Sequence, residues 1–494
     1  MPRLAASALV FVTSAAVLVL EILAGRLLAP YVGVTLETFT AIIGTILAGI
    51  ALGSWLGGRA ADRGEPRTLL APLIVAGGAL SFVSIPIIDG LGAGLRGAGP
   101  SVVVTMCLLA FFTPAAVLSA VTPVVIKLQL TSLDETGRVV GRLSALSTVG
   151  AIVGTFLTGF LLVSALPTRP TIRIVSGGLV LLGLATAVWL RSRRTLGATV
   201  LGAVLAAGLF SFVAADPCEH ESKYFCARVD VDPERASGRV LWLDTLRHSY
   251  VDLDDPTHLE FTYTQVLSDV VESVAPAGEP LDVVHVGGGG FSMPRWLAAV
   301  RPGSTSVVLE LDPLLVELVE DELGFDAEAT RTTTSTGDAR LTLERLPDAS
   351  ADVVIGDAFG GVSVPWHLTT REFADDIARV LRPGGTYALN IIDYGPRDLV
   401  RAEVATLQAV FADVAVFAPA ERFAARSVST GGNFIVVASD GEIDVDAVLA
   451  RNAGRGDDEV VLAGAELDAW VGGADVLTDD HAPVDQLLTP LPSR

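Results

Sequence analysis

The chain has 494 residues, of which 51% are hydrophobic and 18% charged, with a mean hydropathy of +0.54. That length holds two or three domains, and that hydropathy excludes an ordinary soluble protein, so part of the chain must be in a membrane. Residues 1–215 hold 14 basic and 7 acidic side chains, whereas residues 216–494 hold 20 and 49, a net −29. So acidic a second half repels phosphate backbones and excludes nucleic acid as a partner; it suits a cationic small substrate, or solubility alone.

Seven apolar stretches reach the roughly 18 residues needed to span a bilayer. They lie at about 5–29, 37–58, 68–88, 102–127, 140–166, 171–190 and 195–215. The first is too long for a cleavable signal segment and is read as retained. Arg59, Arg63 and Arg67, then Lys127, Arg138 and Arg142, then Arg191, Arg193 and Arg194 fall in alternate connections. By the positive-inside rule these connections and the N-terminus are cytoplasmic, and seven spans place residue 216 onward outside the cytoplasm. Cys218 and Cys226 then bracket a polar segment; the spacing fits a local disulfide of an oxidising compartment and equally two separate thiols. Cys107, in mid-span, reads as a small apolar filler. Glu21 is costly in hydrocarbon, and is expected either to pair with Arg26 or lie near the interface, or to act as a relay or cation site. The stretch Gly57 to Gly64, GGRAADRG, resembles the loop between the second and third spans of major facilitator transporters. Six or seven spans are half of such a transporter, so transport does not follow.

Beyond the membrane, residues 224–229 and 239–253 alternate apolar and polar side chains and predict a small antiparallel sheet. A helix begins within 258–267, and 275–280 is a turn. The stretch 281–313 organises the rest of the chain: an apolar strand at 281–286, the run Gly287, Gly288, Gly289, Gly290, a helix at 291–300, and a second strand at 306–311 that delivers Glu310 and Asp312. Glycines let the backbone turn tightly so that a ligand reaches main-chain N–H groups, and an acid about 20 residues on can accept hydrogen bonds from ribose hydroxyls. A glycine run alone would be no more than a flexible turn; the acid at the end of the next strand points to a nucleoside site.

Strands at 352–356 and 386–392 alternate with helices at 370–381 and 397–411, and late strands near Val414 and at 433–438 close the sheet, predicting a mainly parallel sheet covered on both faces. Asp338 and Asp357 also follow strands. Each taken singly is as well explained as a helix cap, but with Glu310 they make three acids at three strand ends. The six histidines lack ligand spacing, and no metal site or nucleophile turn is evident.

Assembled, these residues resemble the spermidine synthase family, and the whole chain resembles its bacterial membrane-fused form, with a facilitator-like bundle before an aminopropyltransferase-like domain. The likeness rests on Leu243-Asp244, Glu260-Phe261, Tyr263, the glycine loop, Glu310, Asp338 and Asp357, and is strongest from Val240 to Asn390. It implies a transmembrane helical domain at 1–215, a small β-domain at 216–275, a Rossmann-like methyltransferase/spermidine synthase core at 276–440 and a C-terminal extension at 441–494. It further implies transfer of an aminopropyl group from decarboxylated S-adenosylmethionine to putrescine or a related amine, without a metal. In that reading Gly287, Gly288 and Gly289 hold the nucleoside, Glu310 the ribose and Asp338 the adenine. Asp357 takes the proton of the attacking amine, Tyr263 orients that amine, and His248 stands where the family often has Gln. The resemblance admits a homodimer. Leu477 to Val484 is similar to a C-terminal signature of the fused proteins and is expected to be a tail-docking turn. Gly290 and Gly360 stand where the family has acids, which weakens the case for a protonated diamine. Two alternatives remain: a methyltransferase using S-adenosylmethionine on an envelope molecule, and a transporter or sensor with a non-catalytic nucleoside-binding domain.

Overall fold

A computed structural model of the chain describes residues 1–33, 36–92, 94–95, 100–190, 198–213, 216–361, 363–424 and 430–488. The chain divides into two compact units, one built on Met1–Arg228 with Leu243–Thr245, the other on Val229–Trp242 with residues from Leu246 onward.

In the first unit the described residues include six helices long and apolar enough to cross a membrane. They are α1 (Arg3–Val32), α2 (Thr38–Arg63), α3 (Pro66–Gly92), α4 (Ser101–Gln129), α5 (Leu133–Ala165) and α6 (Thr168–Trp189). The seventh expected span lies partly outside the described residues; its described part is α7 (Ala198–Val213), 16 residues long. Small residues let apolar helices approach closely. Gly49, Gly53 and Gly57 recur every fourth residue on α2 against α4: a Cβ on Gly53 would run into the Ala116 carbonyl, and one on Gly57 would stand 2.7 Å from the Ala120 Cα. Several buried polar groups of these helices are paired within the unit. Ser84 Oγ donates to the Ala110 carbonyl at 2.7 Å, Tyr31 Oη to Asp89 Oδ1 at 2.9 Å, and Arg169 Nη1 to Asp89 Oδ2 at 2.9 Å.

The expected Glu21–Arg26 pair does not form. Residues five apart on a helix lie on different faces, and Arg26 turns instead to Glu221, at 3.0 Å, and to the Lys223 carbonyl, at 2.7 Å. Cys218 and Cys226 are joined in a disulfide with Cα atoms 5.2 Å apart, and Cys107 is buried and free.

A four-stranded sheet in sequential order, β1 (His220–Glu221), β2 (Cys226–Val231), β3 (Gly238–Leu243) and β4 (Leu246–Asp252), precedes helix α8 (Thr262–Val274). The core of the second unit follows as β5 (Asp282–Val286), α9 (Ser292–Val300), β6 (Thr305–Glu310), α10 (Pro313–Asp321), β7 (Thr332–Thr336), α11 (Ala339–Leu343), β8 (Ala351–Gly356), α12 (Arg371–Val380), β9 (Leu381–Tyr394), α13 (Asp398–Gln408), β10 (Asp413–Pro419), β11 (Gly431–Ser439) and β12 (Glu459–Ala463). The eight strands lie in the order β12-β10-β11-β9-β8-β5-β6-β7. Pairings from β7 to β9 are parallel, and those among β9, β11, β10 and β12 are antiparallel, so the sheet is mixed where the sequence predicts a mainly parallel one. The alternation of strands and helices makes this a Rossmann-like fold.

The chain starts at β5 in mid-sheet, winds out to β7 and returns to β8 on the other side of β5. Helices therefore leave β5 and β8 in opposite senses, and a crevice opens outside their carboxyl ends. Strands buried on both faces read as continuous apolar runs, which is why β5, β6 and β8 are visible in the sequence. β9 differs, continuing through residues 382–385 as one strand with an irregular register against β8 rather than starting after a turn. Arg301, fully buried, donates to the Ala275, Pro276 and Glu279 carbonyls and to Glu272, tying the end of α8 to the turn before β5.

Replacing Gly53 by Leu should lower the melting temperature of the purified full chain, because α2 and α4 can no longer touch; an unchanged melt would mean that this contact is dispensable.

Candidate active site

At the crevice, β5 runs into the glycine bend. Gly287 and Gly289 have φ of +91° and +51°, a region glycine enters without a steric penalty. The space is as restrictive as the torsion: a Cβ on Gly287 would stand 2.6 Å from the Asp357 carbonyl oxygen, and one on Gly288 would run into the Phe291 ring. Phe291, itself at φ +55°, closes the bend and leads into α9.

Glu310 ends β6 and is buried. Its Oε2 accepts the Gly288 N–H and its Oε1 the Asp312 N–H, both at 2.9 Å. Burial raises its pKa, and the two N–H donors oppose that shift. Asp338 follows β7 and caps α11, Oδ1 accepting the Arg340 N–H at 2.9 Å. The capping reading therefore holds, but the second oxygen, Oδ2, lies 3.1 Å from His367 Nε2.

Asp357 follows β8. Its Oδ1 accepts from Asn390 Nδ2 of β9 at 2.8 Å and its Oδ2 from Tyr263 Oη of α8 at 3.2 Å, while Asn390 Oδ1 accepts from Asn433 Nδ2 of β11 at 2.9 Å. Burial pushes the Asp357 carboxyl up to about 6, with Asn390 and Tyr263 holding it from rising further. Burial and the facing carboxylate push the Tyr263 hydroxyl well above its ordinary value, so it stays a donor. His248 of β4 is pushed down to about 4 by burial and is neutral at physiological pH. Its Nδ1 has no hydrogen-bond partner among the described residues and lies 3.4 Å from where a Gly289 Cβ would be.

Gly287, Gly288, Tyr263 and Asp357 line a narrow cavity of about 20 Å³, and Asp357, Tyr263, His248 and Asn390 line a wider cleft of about 360 Å³. Glu310 and Asp338 line neither. They sit at the ends of β6 and β7 beside the bend, coupled to it by the Gly288 N–H and by the Gly337 N–H, which donates to the Glu310 carbonyl at 2.9 Å. Four neighbouring strands, β8, β5, β6 and β7, thus present Asp357, the glycines, Glu310 and Asp338 along one edge.

Sequence reasoning missed Asn390, Asn433, Ser249 and His367. Asn390 had a readable signal, as the single polar residue in the apolar run Tyr387 to Ile392, where a buried amide must have partners. Ser249, whose Oγ accepts the Gly290 N–H at 2.9 Å, had none.

The C-terminal signature docks on this edge. Thr478 and His481 exchange backbone hydrogen bonds, and the Leu477 carbonyl accepts the Arg371 N–H at 2.9 Å. Asp479 takes Arg340 in a bidentate pair at 2.6 and 2.7 Å. Arg340 also donates from Nη1 to the His367 carbonyl at 3.2 Å, so Asp479 fastens both residues that contact Asp338.

No protein-family model matches the chain. It is 32% identical to the polyamine aminopropyltransferase of Vibrio vulnificus over 137 residues, 27% of this chain and 45% of the relative. It is 25% identical to that of Chromobacterium violaceum over 144 residues, 29% of this chain and 53% of the relative. Over that stretch the chain is related to the polyamine aminopropyltransferases. It spans about half the length of these curated relatives. Among solved structures, a probable spermidine synthase of Corynebacterium glutamicum superposes with a TM-score of 0.49 and 27% identity, covering 54% of this chain and 97% of that one.

Exchanging Asp479 for Asn halves the bidentate pair and frees Arg340 and His367. A roughly five- to tenfold weaker nucleoside affinity is expected with kcat little changed, corresponding to about 1–1.5 kcal/mol for one such charged hydrogen bond. Titration of the variant with donor nucleoside measures this; unaltered affinity would reduce the contact to tail docking.

Proposed function

We propose that the second unit is an aminopropyltransferase, moving the aminopropyl group of decarboxylated S-adenosylmethionine to a small amine. The observation that carries this reading is Asp357, a carboxylate with its pKa raised to about 6, gripped by two neutral donors at the mouth of the glycine bend. The donor is already activated as a sulfonium, so the protein has to align the amine with the electrophilic carbon and receive a proton. The amine nitrogen attacks the carbon beside sulfur, the C–N bond forms as the C–S bond breaks, and the electron pair leaves on sulfur as a neutral thioether. Asp357 accepts the proton shed by nitrogen. Tyr263 and Asn390 fix both carboxylate oxygens, so the carboxylate faces the cleft in one orientation. The main-chain N–H groups of Gly287 to Gly289 and the free lone pairs of Glu310 suit the ribose side, and Asp338 the adenine amino group. His248, neutral and with a bare ring nitrogen, offers a hydrogen bond over Gly289.

One observation favours a second reading, methyl transfer from intact S-adenosylmethionine: Gly290, where the family resemblance places an acid, packs against Ser249 and leaves the donor's tail without that carboxylate. Calorimetry with both nucleosides separates the two readings, because tighter binding of the intact form favours methyl transfer.

The full chain purified in detergent should transfer the aminopropyl group to an amine, and Asp357→Asn should lower kcat by about 10²–10⁴ while leaving the melting temperature equal or higher, since it removes a buried charge. The reactive form is the carboxylate, so kcat/KM should fall as pH drops through about 6 and level off above it. No transfer to any amine would overturn the reading.

A further inference from the structure

We propose that Glu459 of β12 receives the far ammonium of the acceptor, which makes the acceptor an α,ω-diamine longer than putrescine; this rests on the transferase reading of the same site. The amine that gives its proton to Asp357 must lie in the 360 Å³ cleft, and Glu459 lines that cleft as well. Residues paired across neighbouring strands face the same side of a sheet, as do residues two apart on one strand. Asn390 pairs with Ile435 and Ile435 with Phe417, while Ile392 pairs with Asn433 and Pro419 with Glu459. All seven therefore share one face, and all seven line the cleft. It runs from Asp357, just beyond β8, across β9, β11 and β10 to Glu459 on the edge strand.

A carboxylate stands at each end of this track, and Ile392, Ile435, Phe417 and Pro419 make an apolar floor between them. Such a floor suits a run of methylenes. Glu459 is held in place without being neutralised: the buried Asn452 amide donates to its Oε2, and it has no ion pair among the described residues. The third acid of the cleft, Glu260, is already taken by Arg247 at 3.3 Å and His258 at 3.2 Å. Arg422 stands over the middle of the track, where its Nη1 donates to the Asn433 carbonyl of β11 at 2.6 Å. It forms no ion pair among the described residues, so its charge opposes an ammonium placed mid-chain.

Strand count sets the length. Four strand spacings of about 4.8 Å put roughly 19 Å between the backbones of β8 and β12. Three backbone bonds span about 3.5 Å when extended, so the five bonds between the nitrogens of putrescine span about 6 Å, and a hydrogen bond of about 2.8 Å at each end brings the reach to about 12 Å. The nine bonds of 1,8-diaminooctane give a reach of about 16 Å by the same count, and the two acidic side chains can lean inward over the remainder. Putrescine satisfies one carboxylate and leaves the other bare.

Octylamine, putrescine, 1,8-diaminooctane and spermidine isolate the question, because spermidine matches the octane diamine in length and adds a central ammonium. With decarboxylated S-adenosylmethionine as donor, the full chain should use 1,8-diaminooctane with a kcat/KM at least about tenfold above putrescine and octylamine, and above that of spermidine. Glu459→Gln should raise KM for the octane diamine about tenfold with kcat nearly kept, and leave KM for octylamine unchanged. A residue that only holds the edge strand in place would move both. Glu459→Asp, which keeps the charge, should retain part of the affinity. A wild-type preference for any of the other three amines over the octane diamine, or a diamine-to-octylamine ratio that Glu459→Gln does not move, overturns the inference and leaves the transferase reading standing. No transfer to any acceptor overturns both.

Discussion

The hydrogen bond from the Gly288 N–H to the Glu310 carboxylate joins the turn after β5 to the end of β6, and the rest of the site is arranged around it. A carboxylate held by main-chain N–H groups is fixed without any side-chain partner, and a glycine bend without side chains is fixed only by such contacts. The Glu310 carboxylate braces this turn together with the Leu309 carbonyl, which accepts the Gly287 N–H, and Ser249 Oγ, which accepts the Gly290 N–H. Burial makes that charge costly, so the contact persists because both oxygens are occupied.

Next to that braced turn, the polar chain Asn433, Asn390, Asp357 and Tyr263 places a buried carboxylate at the cleft. Two opposed influences set its pKa. Burial favours the neutral acid, the donors favour the carboxylate, and the balance near 6 leaves a group that is ionised at neutral pH and still able to take a proton. The C-terminal segment extends the same logic to the end of β7, where Asp479 and Arg340 steady His367 and the cap on which Asp338 sits.

Much of this could be read in the sequence because it depends on local order. The glycine bend, the strands around it and the acids at their ends follow from short apolar runs and spacing, and β5, β6 and β8 occupy the expected stretches within a residue or so. Long-range pairing could not be read. Asn390 reaches Asp357 across 33 positions and Asp479 reaches Arg340 across 139, both set by strand order and tail docking rather than by any repeat. The antiparallel half of the sheet, the strand character of residues 382–385 and the edge strand β12 were hidden for the same reason. In the first unit the apolar lengths were plain, but the partner of Arg26 lay almost two hundred residues away.

Transfer chemistry in this cleft depends on a nucleoside gripped at the carboxyl edge of β5 and β6, and calorimetric titration of the purified full chain with 5′-methylthioadenosine, the thioether left after aminopropyl transfer, tests this most directly. Saturable one-to-one binding that disappears in Glu310→Gln, where an amide hydrogen would face the Gly288 or Asp312 N–H, and survives in Asp357→Asn is the predicted result. Absence of binding, or binding indifferent to Glu310→Gln, would contradict it.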